Sequence, residues 1–459
     1  MSKYHFIGIG GIGVSAVARI LHEKGFSIQG SDVRESQLTL ALREKNIPIQ
    51  IGHRPENIDQ ADVVVYSTAV PTHNVERLEA LKQAKPLIHR SQALAECLNG
   101  FESIGVTGTH GKGTVSAMIT HGLITANLDP TFIIGGLLNQ YKCNARLGKG
   151  KFAVAEVDES DGSHLNLKPH YVVINNIDVD HLNYYKDWHD IIDQMEIFIH
   201  QNSNLKALAL HWDDPGVRLL GDRLKCPIIK YGVETQGKIS EDLDFSARNI
   251  EDFGLSVAFD VYRSSTLLGK IHCPIPGAYN AENAIGAISI LVGALGLDFE
   301  VVAQALSTYQ GLENRFSVVQ GNGITLVKDY LSHPTGMRKV LESAQKFPHN
   351  QIWCVFKPYR FTLMRYHAQD YADAFKGADQ ILITLMYAAE EKAIDGIDTP
   401  WFVDELRKAN HHVHYVPNQD EIIGFLEERV KNQDLVIFFG GDDFFRMADA
   451  WAQARSTQA

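Results

Sequence analysis

The chain has 459 residues, 45% apolar and 21% charged, with 43 basic against 55 acidic side chains and a formal net charge of −12. It is too long for a single core, since domains run to roughly 100–200 residues, and two to four are expected. The acidic balance argues against wholesale binding to nucleic acid or to an anionic membrane, while leaving room for a local basic pocket.

Cys97, Cys143, Cys226, Cys273 and Cys354 are scattered, with no Cys-x-x-Cys spacing, as suits reduced thiols in the cytoplasm. The N-terminus carries no export pattern. The longest apolar stretch, Gly286 to Leu297, is about 12 residues, short of the ~18 that suggest a membrane span. A cytoplasmic protein, monomer or homodimer, is expected.

Runs of strand-like residues alternate with helical periodicity along the whole chain. This predicts an α/β protein with largely parallel sheets. Breaks in the rhythm near Glu96–Phe101 and before ITLVKDY divide it into three domains: 1–99, 100–312 and 313–459. The first and third are expected to be Rossmann-like, and the second of P-loop type.

In the first domain Gly8, Gly10 and Gly13, with Gly11 between them, form G-x-G-x-x-G after the strand YHFI and before a helix. Such a loop lets the diphosphate of a nucleotide approach the helix N-terminus, whose unpaired N–H groups attract anions. Asp32 ends the next strand, where a carboxylate can accept from ribose hydroxyls. The strand ADVVVY stops at Ser67, Thr68 and Ala69, small residues suited to a ligand crevice or to an ordinary strand end.

A second loop follows the strand SIGV: Gly108, Thr109, His110, Gly111, Lys112, Gly113 and Thr114. Its amides can cradle phosphates, Lys112 can reach the terminal phosphoryl oxygens, and a hydroxyl can bind Mg²⁺. The spacing is a variant of the usual P-loop, because Val106 takes the first glycine position and Gly113 follows the lysine. A dehydrogenase has no use for this second loop. One nucleotide cleaved and another carried fits better.

These segments together resemble the Mur ligases, and within them the alanine-adding members. GIGGIGVSAVARIL, VVYSTAV, HRSQALAE, VTGTHGKGT, AEVDESDGSHL, NIDVDHLNYY, GAYNAENAIGA, NRFSVV and DYLSHPTGM carry the resemblance across nearly the whole chain. It implies an ATP- and Mg²⁺-dependent amide ligase. The expected donor is the carboxylate of UDP-N-acetylmuramate, the acceptor the amine of L-alanine, in peptidoglycan precursor synthesis. By matching position, Lys112 would contact the β,γ-phosphates, while Thr114, Glu156 and His181 would serve the metal. Asn280 and Asn283 would hold adenine, and Arg315 and Asp329 would approach the nucleotide from the third domain. The resemblance gives Gly8, Gly10, Gly11, Gly13, Asp32, Ser67, Thr68 and Ala69 to the UDP-sugar, and Tyr359 and Arg360 to the acceptor. His333 or Asp329 would orient or deprotonate the amine. Read without the resemblance, Asp158, Glu159, Asp161, Asp178 and Asp180 are solvated or capping residues, His181 is structural, and Asn280 and Asn283 are either a shared helix face or a cap.

The third domain departs from the family pattern. Tyr359 stands where histidine is usual, Leu363 replaces a second arginine, Ser332 precedes His333, and Asp442 replaces a glycine. A free amino acid brings a carboxylate that arginine forks neutralise best. With Arg360 the one matching cation, another amino acid or a peptide is the alternative acceptor, and a non-catalytic nucleotide-binding paralogue the alternative class.

Overall fold

The computed structural model describes residues 2–457 except 241, 322 and 390. It has three sheets in succession along the chain, each flanked by helices. The first is wholly parallel, in the order Ile49–Ile51, Ser27–Asp32, Lys3–Ile7, Val63–Tyr66, Leu87–His89. The order reverses between Lys3–Ile7 and Val63–Tyr66, and open α/β sheets bind ligands at that point, beyond the carboxyl ends of the strands. The first glycine loop and Ser67–Ala69 both leave those ends. The helix Ile12–Glu23 buries Val14, Val17, Ile20 and Leu21, a one-sided apolar stripe that seats it on the sheet. It also packs against the central strands Thr131–Leu138 and Cys143–Arg146, so one apolar cluster runs from the first domain into the second.

The central sheet has ten strands, with Glu102–Thr107 in its middle between Tyr171–Ile174 and Phe152–Glu156, all parallel. Strands covered on both faces read as continuous apolar runs, which is why this region was legible. The helix Lys112–Thr125 that follows Glu102–Thr107 buries every residue from Val115 to Leu123, so its apolar character is all-round rather than one-sided. Parallel order fails at the edges. Phe245–Asp252, Val257–Arg263 and Thr266–Cys273 form an antiparallel ladder at one edge, and Cys143–Arg146 runs antiparallel at the other. These strands are exposed on one side and joined by tight turns, so no long apolar run announced them. The apolar stretch Gly286–Leu297 lies within the buried helical segment Tyr279–Ile288 and Ser289–Ala294 and the turn after it. Among the described residues no helix is long and apolar enough to cross a membrane.

The third sheet runs Ser317–Gly321, Ile324–Asp329, Leu435–Phe439, Ile352–Phe356, Gln380–Ile383, Val413–Tyr415, parallel except for its first, antiparallel strand. Asp329, Lys357 and Gly440 mark the carboxyl ends of its three middle strands, which face the central domain. The five cysteines are free.

Candidate functional site: a cleft between the second and third domains

A cleft of about 820 Å³ opens beside the second glycine loop. Thr109 to Thr114, Glu156, Asn280 and Asn283 line it from the central domain, and Arg315, Asp329, Thr335 and Lys339 from the third. Its size is that of a nucleotide-scale pocket.

The loop is held by the Asn175–Asn176 pair at the end of the neighbouring strand, mainly through their side-chain amides. Thr109 N donates to Asn176 O (3.1 Å) and His110 N to Asn176 Oδ1 (2.7 Å), while the amides of Asn175 and Asn176 donate to His110 O. At Gly108, φ is +117° and a Cβ would lie 2.7 Å from Asn176 O, so only glycine passes. At Gly113 a Cβ would sit 3.3 Å from Glu156 Oε2 and 3.2 Å from Leu312 Cδ1, a tight place that accounts for glycine after the lysine.

Lys112 Nζ donates to Gly108 O (2.7 Å), Thr109 O (3.3 Å) and Glu159 Oε1 (3.0 Å). Burial alone would lower its pKa, but Glu159, Asp158 and Glu156 around it reverse the effect and raise it. The ammonium therefore stays charged, poised under the space where phosphates fit. Glu159 is only 2% exposed, so it is a buried partner of the lysine and not the solvated or capping residue expected. Glu156 Oε2 accepts from Gly135 N at 2.8 Å. Glu156 and the Thr114 hydroxyl both face the cleft, an oxygen pair suited to Mg²⁺.

Asn280 and Asn283 share the first turn of Tyr279–Ile288. Asn283 Nδ2 donates to Asn280 Oδ1 (2.8 Å), and Asn280 Nδ2 to Pro276 O (2.6 Å). The shared-face alternative is the one observed. Across the cleft, Arg315 is half exposed with Nη1 3.9 Å from Asp329 Oδ1. Asp329 is buried and accepts from Phe316 N (2.8 Å) and Leu331 N (3.0 Å). Burial raises its pKa against the pull of Arg315 and these amides.

His181 does not line this cleft. It sits in a small neighbouring pocket with Asp180, Leu363 and His367. Its Nδ1 lies 3.1 Å from Arg360 Nη1, which also donates to Asn183 Oδ1 at 3.1 Å. The third-domain arginine expected at the acceptor thus reaches the central-domain histidine expected near the metal, with Tyr359 stacked on Tyr387 beneath it. His333 caps the helix Pro334–Ala344, and its Nε2 lies 3.1 Å from Val179 O. Burial, with His110 next, depresses its pKa to about 4, so it is neutral near pH 7.

In the first domain, Asp32 Oδ2 accepts from Gly10 N at 2.8 Å, so the carboxylate braces the glycine loop. A Cβ on Gly10 would lie 2.9 Å from that oxygen. Thr68 Oγ1 donates to Asp161 of the central domain, and His89 Nε2 lies 3.5 Å from the same carboxylate. Arg90 was not singled out, although it stands in the HRSQ segment. Its Nη1 would meet a Cβ on Gly13 at 3.1 Å, and its Nη2 donates to Asp158 at 3.4 Å. Burial opposes ionisation of Asp158, yet Lys112 and Arg90 hold its pKa near 2. Arg90, Asp158, Lys112, Glu159 and Glu156 form a charged path from the first glycine loop to the second. Only position in space reveals it, because these residues come from three separate segments.

A three-domain α/β architecture, with a glycine loop between strand and helix in each of the first two domains, defines the class, and comparison with known proteins agrees with it. Three family models match in order: "Mur ligase family, catalytic domain" over residues 3–102, "Mur ligase middle domain" over 106–291, and "Mur ligase, glutamate ligase domain" over 314–441. The chain belongs to the Mur ligase family. It is 36% identical over 456 residues to UDP-N-acetylmuramate–L-alanine ligase of Syntrophotalea carbinolica, covering 98% of each chain. It is 34% identical over 452 residues to the ligase of the same name from Sulfurihydrogenibium sp., covering 98% of this chain and 97% of that one. The structure of UDP-N-acetylmuramate-alanine ligase MurC from Thermotoga maritima superposes with a TM-score of 0.83 at 25% identity over the full length of both. A murein peptide ligase from Psychrobacter arcticus shares the fold, with a TM-score of 0.74 at 20% identity over 99% of both chains.

Proposed function

We propose that the protein is an ADP-forming amide ligase that joins the carboxylate of UDP-N-acetylmuramate to the amine of L-alanine, in peptidoglycan precursor synthesis. The observation that carries this reading is the cleft in which buried, charged Lys112 of one domain faces Arg315 of the next. Full-length identity to ligases of that name supports it.

ATP lies with its phosphates on Gly108–Thr114 and its base toward Asn280 and Asn283. The UDP-sugar binds at Gly8, Gly10, Gly11, Gly13 and Asp32, with Ser67, Thr68 and Ala69 at the crevice. The donor carboxylate attacks the γ-phosphorus, ADP leaves, and an acyl phosphate forms. The amine then attacks the acyl carbon, phosphate departs with the bonding electrons, and the proton lost from nitrogen passes to Asp329 or to solvent. Lys112 and Arg315 spread the charge that develops on the transferred phosphoryl group. Thr114, Glu156 and His181 would hold Mg²⁺, which supplies further charge neutralisation. Docking of the third domain through Lys339, whose Nζ donates to Glu282 Oε2 of the central domain at 2.7 Å, excludes water from the acyl phosphate. Division near residues 99 and 312, a cytoplasmic setting and a monomeric or homodimeric state belong to the same reading.

Leu363 favours a second acceptor. It is buried beside His181 where a second cation would face an amino-acid carboxylate, so a different amino acid or a short peptide is the alternative. Phosphate release from MgATP and UDP-N-acetylmuramate, followed with each acceptor, decides between them. Stimulation by L-alanine supports the first reading and stimulation by a peptide alone the second. Absence of acceptor-dependent phosphate with every amino acid and short peptide sinks both.

A further inference from the structure

Beside the nucleotide cleft the seam between the second and third domains gathers side chains that the reaction above does not use. His110 comes from the glycine loop, Asp178 from the segment after Tyr171–Ile174, and His333 from the start of Pro334–Ala344. His110 Nε2 lies 3.4 Å and His333 Nδ1 3.8 Å from Asp178 Oδ2. One ligand atom from each of the three falls within 4.8 Å of the others, and among the described residues this is the one His/Cys/Asp/Glu group so disposed.

We propose that His110, Asp178 and His333 form a binding site for a zinc-class divalent ion, separate from the oxygen ligands Thr114 and Glu156, that ties the glycine loop to the third domain. Two imidazoles and one carboxylate suit Zn²⁺ or Co²⁺ far better than Mg²⁺, which prefers oxygen. Zinc–ligand bonds of about 2.0–2.2 Å in a tetrahedral site set neighbouring ligand atoms about 3.4 Å apart. The separations from Asp178 Oδ2, 3.4 and 3.8 Å, lie close to that value, and the histidine pair, within 4.8 Å, closes by up to about 1.4 Å when the ion binds. His110 and Asp178 line the cleft, so the fourth position faces solvent-accessible space.

The surroundings are those of a built site. His333 is only 3% exposed, and Val179 O, shared with His367 Nε2 at 2.8 Å, lies 3.1 Å from its Nε2; with the proton there, the ring presents its Nδ1 lone pair to the Thr335–Asp178 side. A metal-bound histidine commonly donates its other N–H to a carbonyl in this way. That lone pair otherwise accepts only a long contact, 3.3 Å, from Thr335 N. Thr335 Oγ1 donates to Asp178 Oδ2 at 2.8 Å and orients the carboxylate. Behind His333 stands His367, with Nε2 3.2 Å away and Nδ1 2.7 Å from Asp370. The ionised Asp178 offsets the positive helix end that would otherwise disfavour a cation at His333.

The test titrates the full-length protein, without nucleotide, with Co²⁺ and reads its visible d–d absorption. One equivalent bound and displaced by Zn²⁺ is expected. His333→Asn and His110→Asn should each abolish the bands, Thr335→Val should weaken binding about 10–100-fold, and Glu156→Gln should keep the bands. A Zn²⁺-dependent rise in melting temperature, present in the wild type and absent in His333→Asn, confirms the site without any colour signal. Bands that survive in His333→Asn, or vanish in Glu156→Gln, place the ion elsewhere and overturn the proposal. None of these readouts depends on turnover, so they stand or fall apart from the ligase reading.

Discussion

The two glycine loops begin alike and end differently. Each leaves the strand beside which its sheet's order turns and opens a helix, and each brings backbone amides to where phosphates can lie. The first, Gly8–Gly13, contains no charged side chain; its bracing carboxylate, Asp32, is spent on Gly10 N. The second places Lys112 at the head of its helix, with Glu159 buried against it. A loop that holds a diphosphate through an entire reaction needs amides and space. A loop whose phosphate changes bonding also needs a positive charge ready at the place where negative charge moves. The difference is the one expected if, as proposed, the first loop carries its nucleotide and the second cleaves its own.

The sharpest way to break this comparison is Lys112→Ala. Losing a preorganised charge from a phosphoryl-transfer site is expected to lower kcat about 10²–10³-fold or more. UDP-sugar affinity, measured by calorimetry without ATP, should be unchanged. Loss of both would mean that the loops do not divide the work.

The floors beneath the loops also differ, and pH separates them. Under the first loop, Glu76 is fully buried and accepts from Ser31 Oγ (2.5 Å) and Asn57 Nδ2 (2.6 Å), with His5 Nε2 at 3.2 Å. Burial would raise its pKa, but these partners pull it from 4.5 down to about 2. A carboxyl more acidic in the folded than in the unfolded state stabilises the fold fully above the unfolded value. That stabilisation is lost as pH falls through the folded value. On the order of 3 kcal/mol should therefore disappear between about pH 4.5 and 2. Urea unfolding of Glu76→Gln should show a stability deficit at pH 7 that shrinks across this window. A deficit independent of pH would mean that packing, not charge, is what Glu76 supplies.

Alanine at one glycine of each loop sharpens the contrast further. Gly108→Ala forces a side chain into φ +117° against the backbone oxygen of Asn176, and is expected to cost about 1–3 kcal/mol along with ATP affinity. Gly10→Ala meets only side-chain atoms, Asp32 Oδ2 and Thr39 Cγ2, which can shift. It should cost less stability and weaken UDP-sugar binding while sparing ATP. Thermal melts and nucleotide titrations of the two variants distinguish these outcomes.

How much of this was legible in the sequence follows from what each feature needs. Both loops were readable because strand, glycines and helix are contiguous, and the lysine stands within its loop. The parallel cores were readable as apolar runs. The antiparallel edge from Phe245 to Cys273 was not, since one-sided burial leaves a mixed pattern. Glu159 passed for a solvated acid because nothing local says that its partner lies 47 positions earlier. His181 was given to the metal by the resemblance alone, and its contact with Arg360 was not readable, since that arginine stands 179 positions later. Arg90 and the His110–Asp178–His333 group were invisible for a related reason: segments far apart in sequence converge only in the fold, here across the seams between domains.

The smallest expected effect tests the acceptor side, where neither glycine loop reaches. Arg360 spans the seam, with Nη1 at 3.1 Å from both His181 Nδ1 and Asn183 Oδ1 and its guanidinium over the Tyr359 ring at 4.9 Å. Lysine retains the charge but neither the planar fork nor the stacking, so Arg360→Lys separates electrostatic attraction from geometry. Loss of one charge-assisted hydrogen bond, worth about 1.4 kcal/mol, should raise KM for the acceptor roughly tenfold. The KM values for ATP and the UDP-sugar should stay fixed. If all three rise together, Arg360 is a strut that docks the third domain and the acceptor is held elsewhere. Leu363→Arg then becomes the complementary measurement. A second cation beside His181 should improve kcat/KM for a free amino acid, and failure to do so would favour an acceptor whose carboxylate lies farther from its amine.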